Sequence, residues 1–252
     1  MMVKIGNFFF HYRNGLFPMV YALLLIKSPP LFHDYRVAAL IGLAIALAGQ
    51  SLRAVTIGLE YIIRGGRHRQ VYAEKLVQGG IFAHCRNPLY VGNLAVIIGV
   101  AVASNSIIFM CTAVPFFLFA YRAIVAAEEN FLRQKFGAEF DQYCARVHRW
   151  FLNPAGLRQS LVGMRFNWRR LITAEYGSTF AWTLAIILVT LKNIWLRGDY
   201  QSAGQLVTAL WICLGVVAVA YGVARYLKKS GRLNDELPME RPNPPESRPA
   251  SA

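Results

Sequence analysis

Two apolar runs, at residues 89–103 and 107–127, are separated only by Ser104-Asn105-Ser106. Nothing else in the chain constrains its fold so strongly. Each run approaches the roughly 17–25 residues that cross a bilayer. A link of three residues leaves two such helices no arrangement but antiparallel neighbours. The hairpin returns its outer ends to the same membrane face. Arg86, Asn87 and Tyr90 at one end and Glu128 and Glu129 at the other are therefore expected to gather there, though about forty residues separate them in sequence.

Composition agrees with a membrane chain. Of 252 residues, 56% are apolar and only 16% charged, outside the soluble globular range. Further apolar runs lie at 16–26, 37–63, 179–195 and 205–227, so the fold class is all-α: a polytopic membrane helix bundle of five or six spans. Run 16–26 is short, carries Pro18, and is read as a short span or a re-entrant segment. No positive stretch followed by a short apolar core and a small-residue cleavage site marks a removable signal peptide. Cys85, Cys111, Cys144 and Cys213 show no paired spacing, so neither a disulfide framework nor a zinc site is expected.

The net charge of +14 raises nucleic acid as a partner. The basic residues instead follow the span boundaries. Lys4, Arg13, the arginines of 64–86, those of 122–170 and the C-terminal cluster fall on one side. Lys27, Arg36, Lys192 and Arg197 fall on the other. This asymmetry is the positive-inside pattern, and it makes the hairpin's open face cytoplasmic. Nucleic acid is not expected as a partner.

Four regions follow: an N-terminal segment 1–36, a core 37–154, a basic loop with a second apolar hairpin at 155–227, and a proline-rich disordered tail at 228–252. Residues 155–178 are expected to stay outside the bilayer, and the second hairpin shows no chemical residues. In the span 37–63, Arg53 lies near the middle. It is either a functional charge or the partner of polar groups on a neighbouring helix. Gly65-Gly66 and Gly79-Gly80 lack dinucleotide-loop spacing, and no βαβ unit surrounds them. Residues 128–150 repeat Leu132, Phe136, Phe140, Tyr143, Val147 and Trp150 at steps of three and four. They predict an amphipathic helix lying along the interface or over a pocket mouth.

Glu128 continues the stripe of Ile124, Leu132 and Phe136, so it points inward and requires a cation or hydroxyl partner. Glu129 lies four residues before Arg133, the spacing of a surface ion pair. Asn87-Pro88 fits a helix start, with Asn87 as cap and Pro88 at the first helical position. With Arg86 beside it, that end is also suited to an anion. His84 and Tyr90 add an imidazole and a phenol.

The segment 79–151 resembles the superfamily of integral membrane methyltransferases that includes isoprenylcysteine carboxyl methyltransferases and phospholipid N-methyltransferases. The resemblance rests on Arg86-Asn87-Pro88-Leu89-Tyr90-Val91-Gly92, where that family has Arg-His-Pro-x-Tyr-x-Gly, and on Glu128-Glu129 about forty residues later. It implies S-adenosylmethionine as cofactor, held by Arg86, Asn87, Pro88, Tyr90, Gly92, Glu128 and Glu129. It also implies a lipid or prenylated acceptor methylated on oxygen or nitrogen, and an active site at the cytoplasmic face of a cell or endoplasmic reticulum membrane. Glu128, Tyr90 and His84 are the candidate catalytic groups. Asn87 replaces the family's histidine, which removes an imidazole from that position. Two readings compete: an NADPH-dependent sterol-type reductase, whose late segment is similar to Glu128-Glu129, Phe136-Gly137 and Tyr143-Cys144, and a non-catalytic lipid-binding protein.

Overall fold

The computed structural model describes residues 1–59 and 73–233. Among them every regular element is helical: α1 (Met2–Tyr21), α2 (Tyr35–Leu59), α3 (Pro88–Ala103), α4 (Ile107–Phe136), α5 (Ala138–Arg146), α6 (Leu157–Leu161), α7 (Trp168–Leu196) and α8 (Gly204–Lys229). Single 3-10 turns cover Ala22–Leu25 and Gly80–Ala83. Four helices, α2, α4, α7 and α8, are long and apolar enough to cross a membrane. α3 is apolar but has 16 residues. The protein is an integral membrane helix bundle, with four such helices where the apolar runs suggested five or six spans.

The α3–α4 hairpin forms as expected, and its turn is buried. Asn105 adopts a positive φ of 52°, a conformation asparagine tolerates better than most residues. Its side chain clasps the backbone of Phe32, accepting from the N–H at 2.7 Å and donating to the carbonyl at 3.0 Å. Ser106 caps α4 by accepting from the Phe109 N–H at 3.1 Å.

Between helices in a bilayer the hydrophobic effect gives little drive, because lipid tails are as apolar as leucine; close backbone approach supplies the attraction instead. α2 and α3 meet through Gly42, Gly49, Gly92 and Gly99. A methyl group at Gly49 would stand 2.6 Å from the Gly92 carbonyl oxygen, and one at Gly99 would stand 2.6 Å from the Ala46 nitrogen. α1 approaches α4 equally closely where Gly6 meets the Ala123 carbonyl. Phe109, Phe117 and Ile124 fill the centre.

Several boundaries differ from those the sequence suggested. α1 begins at Met2 and runs through Pro18, so the segment 16–26 is the end of a longer helix and the turn after it. The expected helix over 128–150 is two. α4 continues to Phe136, the chain turns at Gly137 (φ 51°), and α5 follows. Phe140, Tyr143 and Val147 are buried together, with Leu132 and Phe136 against them.

α7 begins at Trp168, eleven residues before the expected apolar run, so residues 168–178 belong to a membrane-length helix and not to a loop. Lys228 and Lys229 likewise belong to α8. Glu60, one heptad after Arg53 in the expected span 37–63, the Arg64–Arg69 stretch with Gly65-Gly66, and the tail from 234 onward lie outside the described residues.

Candidate active site at the open end of the hairpin

The hairpin brings the two motifs together. The Tyr90 hydroxyl, in the first turn of α3, donates to Glu128 Oε1 on α4 at 2.6 Å, across 38 residues of sequence. The inward carboxylate has the hydroxyl partner its position demanded. Its second oxygen accepts no hydrogen bond among the described residues. Tyr121, on α4, lies against the Tyr90 ring with centroids 5.3 Å apart.

Glu129 is placed differently from the surface pair expected with Arg133. It is buried, and Arg133 instead binds Asp141 at 2.8 Å in the open. Glu129 holds a cluster of its own. Arg149 donates from Nε at 3.0 Å and from Nη2 at 2.5 Å, a two-pronged grip on both oxygens. Arg86 Nε lies 3.3 Å from Oε1, and the Asn87 amide donates to the same oxygen at 3.5 Å.

Arg86 and Asn87 also tie this end of the hairpin to the chain after α5. Arg86 donates to the carbonyls of Cys144 (2.9 Å) and Val147 (3.2 Å). Asn87 donates to that of Arg149 at 3.2 Å. Its side chain therefore does not cap α3, although Pro88 does occupy the first turn and the Asn87 carbonyl accepts from Val91 N–H at 3.1 Å. Backbone bonds from Arg86 N–H to His148 (2.9 Å) and from Asn153 N–H to His84 (3.0 Å) bind the two segments side by side.

His84 belongs to this tie. Nδ1 lies 2.8 Å from the Asn153 carbonyl and Nε2 lies 2.8 Å from the Ser160 hydroxyl, so both ring nitrogens are engaged away from Glu128 and Tyr90. Tyr143 donates to the Phe82 carbonyl at 2.7 Å. Burial raises the Cys85 thiol and the Tyr143 phenol above their ordinary ranges. Gly92 faces α2, where an added methyl would stand 2.5 Å from Arg53 Cγ. Its smallness serves helix packing.

The buried Arg53 has a partner that the sequence concealed. It binds Glu175 of α7 with both prongs, Nε to Oε2 at 2.8 Å and Nη2 to Oε1 at 2.7 Å, and it also donates to the Asn93 side chain on α3. Gln50 adds a bond to Glu175 at 3.0 Å and accepts from the Trp182 indole at 3.1 Å. Glu175 was missed because it was assigned to a basic loop; in α7 it becomes the countercharge of Arg53. Arg149 was missed because it lies beyond the turn at Gly137, where helical spacing no longer predicts a neighbour of Glu129.

With this geometry in place, likeness to known proteins narrows the reading. A family model described as phospholipid methyltransferase matches residues 36–139, which run from α2 into α5 and include Arg86 to Gly92 and both glutamates. Among curated proteins, the nickel-cobalt-cadmium resistance protein NccN of Alcaligenes xylosoxydans xylosoxydans is 34% identical over 77 residues, 31% of this chain and 36% of that one. The cobalt-zinc-cadmium resistance protein CzcN of Cupriavidus metallidurans is 34% identical over 76 residues, 30% of this chain and 35% of that one. The alignments thus cover little more than a third of the length of these relatives. No solved structure matches. Residues 36–139 match the phospholipid methyltransferase family, which belongs to the superfamily of integral membrane methyltransferases that the two motifs resemble.

Proposed function

We propose that the protein is an S-adenosylmethionine-dependent methyltransferase that modifies a lipidic acceptor. The observation that carries this reading is the Tyr90–Glu128 pair: a 2.6 Å bond, at the membrane-face end of the matched segment, on a carboxylate with one oxygen to spare. The residues suit the cofactor. A zwitterion with a sulfonium and ribose hydroxyls needs a carboxylate acceptor, and Glu128 supplies one in a half-buried setting. Bound S-adenosylmethionine would supply an electrophilic methyl group.

The protein's task is then to hold donor and acceptor in line and keep water out. Glu128 would hold the cofactor's ammonium or a ribose hydroxyl through one lone pair of Oε2, leaving the other for an acceptor's proton, while Tyr90 Oη fixes the carboxylate through Oε1. Tyr121 walls the other side of Tyr90. An acceptor amine must lose a proton before it attacks, and Glu128 is the carboxylate placed to take it. An acceptor carboxylate needs no such step. Arg86 and Asn87 hold the floor of the site through Glu129, and His84 holds it through Asn153 and Ser160. They are assigned the positioning role, and Gly92 and Pro88 the packing of α3.

The test is thermal unfolding of the detergent-purified protein with S-adenosylmethionine, and separately with NADPH, alongside Glu128→Gln and Tyr90→Phe. A ligand at about a hundredfold its dissociation constant adds roughly 2.7 kcal/mol, a visible rise in melting temperature. Stabilisation by S-adenosylmethionine alone, weakened in both variants, is the expected result. Stabilisation by NADPH instead makes the protein a reductase, and silence from both in a folded sample makes it a binding protein.

A further inference from the structure

α1 lies outside the matched segment, yet one of its charges faces the site. Gly6, Phe9, Arg13 and Phe17 recur at steps of three and four and so share one face of the helix. That face is the one against α4. Gly6 meets Ala123 and Ala127, Phe9 meets Phe116 at 5.7 Å between ring centroids, and Phe17 meets Tyr121 at 5.6 Å. Arg13 therefore enters the α1–α4 seam.

α1 runs antiparallel to α4, with its N-terminal turns beside Ala123–Ala127 and its C-terminal turns beside Phe117. Helical side chains lean toward their own N-terminus. The Arg13 side chain accordingly reaches toward the Glu128 end of α4, and it interacts electrostatically with Glu128, Tyr90 and Tyr121.

The guanidinium rests over the Phe10 ring, 4.2 Å from its centroid. It makes no hydrogen bond or ion pair with any described residue, Glu128 included. This sets it apart from Arg53, Arg86 and Arg149, each of which is bonded to protein acceptors. A half-buried guanidinium with five donors and only a ring beneath it is a costly feature unless something anionic completes it. Glu128 stands about 30 Å along α4 from Ile107, at ~1.5 Å per residue, which is the thickness of the hydrocarbon core. Glu128 thus stands near one boundary of that core, and Arg13 reaches toward it from the hydrocarbon side. The outer face of α1, with Phe8, Tyr12 and Met19 exposed, borders the lipid from which such a molecule would come.

We propose that Arg13 is the residue that binds the phosphate of the acceptor lipid's headgroup, across the site from Glu128. This deepens the methyltransferase reading and rests on it for the word acceptor. A headgroup with a phosphate and an amine fits the pair in one orientation only: phosphate on Arg13, nitrogen toward Glu128. Arg13 then sets which molecules present a nucleophile at the site.

The probe is a short-chain phosphatidylethanolamine, with diacylglycerol of the same chains, inorganic phosphate and S-adenosylmethionine as separate arms. Binding is followed by thermal shift on wild type, Arg13→Gln and Arg13→Lys, and by protection of Arg13 from phenylglyoxal in the wild-type protein. We expect phosphatidylethanolamine to bind about tenfold more weakly to Arg13→Gln, to recover in part in Arg13→Lys, and to protect Arg13. Diacylglycerol should not protect it, and the S-adenosylmethionine response should be unchanged in both variants.

Equal phospholipid affinity in wild type and Arg13→Gln overturns the proposal. So does loss of the S-adenosylmethionine response instead, which would give Arg13 to the cofactor's carboxylate. Equal protection by inorganic phosphate would make the ligand a free anion. If Arg13→Gln does not fold, the protection experiment decides alone, and failure of phosphatidylethanolamine to protect Arg13 refutes the assignment. Because lipid and cofactor are read separately, absence of an S-adenosylmethionine response in the wild type refutes the methyltransferase reading, and with it the word acceptor, without touching the binding of a lipid phosphate by Arg13.

Discussion

Glu128 and Glu129 are neighbours in sequence and opposites in circumstance. Glu129 is saturated: two prongs from Arg149, an ion pair with Arg86 and an amide from Asn87. Glu128 has one bond, from Tyr90, and an arginine nearby that does not touch it. Adjacent helical positions point about 100° apart, so one carboxylate turns toward the chain after α5 and the other toward α1 and α3. A carboxylate whose oxygens are all used holds structure together. One with capacity left is available for a ligand.

The sharpest way to break this contrast is to remove the saturated partner. Glu129→Ala leaves Arg86 buried without its countercharge, and we expect it to cost about 3 kcal/mol or more, read as a large drop in melting temperature or loss of folded protein. Glu175→Ala should behave similarly through Arg53, and replacing Arg53 and Glu175 together by apolar residues should restore much of the loss. If Glu129→Ala melts like wild type, the cluster is not structural.

Second in size are the helix seams. Gly49→Val and Gly99→Val force α2 and α3 apart and should cost about 1–3 kcal/mol as overpacking. Gly215→Val and Gly222→Val on α8, where an added carbon meets nothing within 4 Å, should change stability by less than about 0.5 kcal/mol. Equal effects at the two pairs would refute the packing described.

Third, on the methyltransferase reading proposed above, Glu128→Gln and Tyr90→Phe should each lower methyl transfer tenfold or more while costing no more than about 1.5 kcal/mol of stability, the loss of one exchangeable bond. A variant that loses stability and activity together would put Glu128 with Glu129.

The smallest effect is alkaline. Cys85 and Tyr143 keep their protons more tightly folded than unfolded, because burial disfavours the charged forms. The stability this gives is whole below the ordinary thiol value of about 8.5 and is lost as the pH climbs through the raised folded value. Melting temperature should therefore hold from pH 7 to 8 and fall above pH 9. Cys85→Ala should flatten part of that fall.

Much of this could be read in the chain beforehand, for definite reasons. Three polar residues between two apolar runs admit one hairpin, so the meeting of Tyr90 with Glu128 followed from length alone. The inward turn of Glu128 followed from the stripe it shares with Ile124 and Leu132. What escaped depended on where helices begin and bend. α7 starts in a basic stretch with no apolar signal, which hid Glu175 from Arg53. α4 outlasts its apolar run and turns at Gly137, which separated Arg149 from any periodicity that could link it to Glu129. Ion pairs set across such turns leave no spacing to count.

α8 has a consequence of another kind. Apart from Val207 it buries no residue fully against protein, and Trp211, Ile212, Val216, Val219 and Val223 face outward. As a helix long and apolar enough to cross a membrane, it meets lipid where it spans a bilayer, so its solvent is chosen by whoever prepares the sample. Transfer from bilayer to micelle changes the environment of nearly every side chain on α8 while leaving the glycine-locked α2–α3 seam as it was. Detergent choice should therefore register first at the C-terminal hairpin. Preparations that disagree there can still agree on Tyr90 and Glu128.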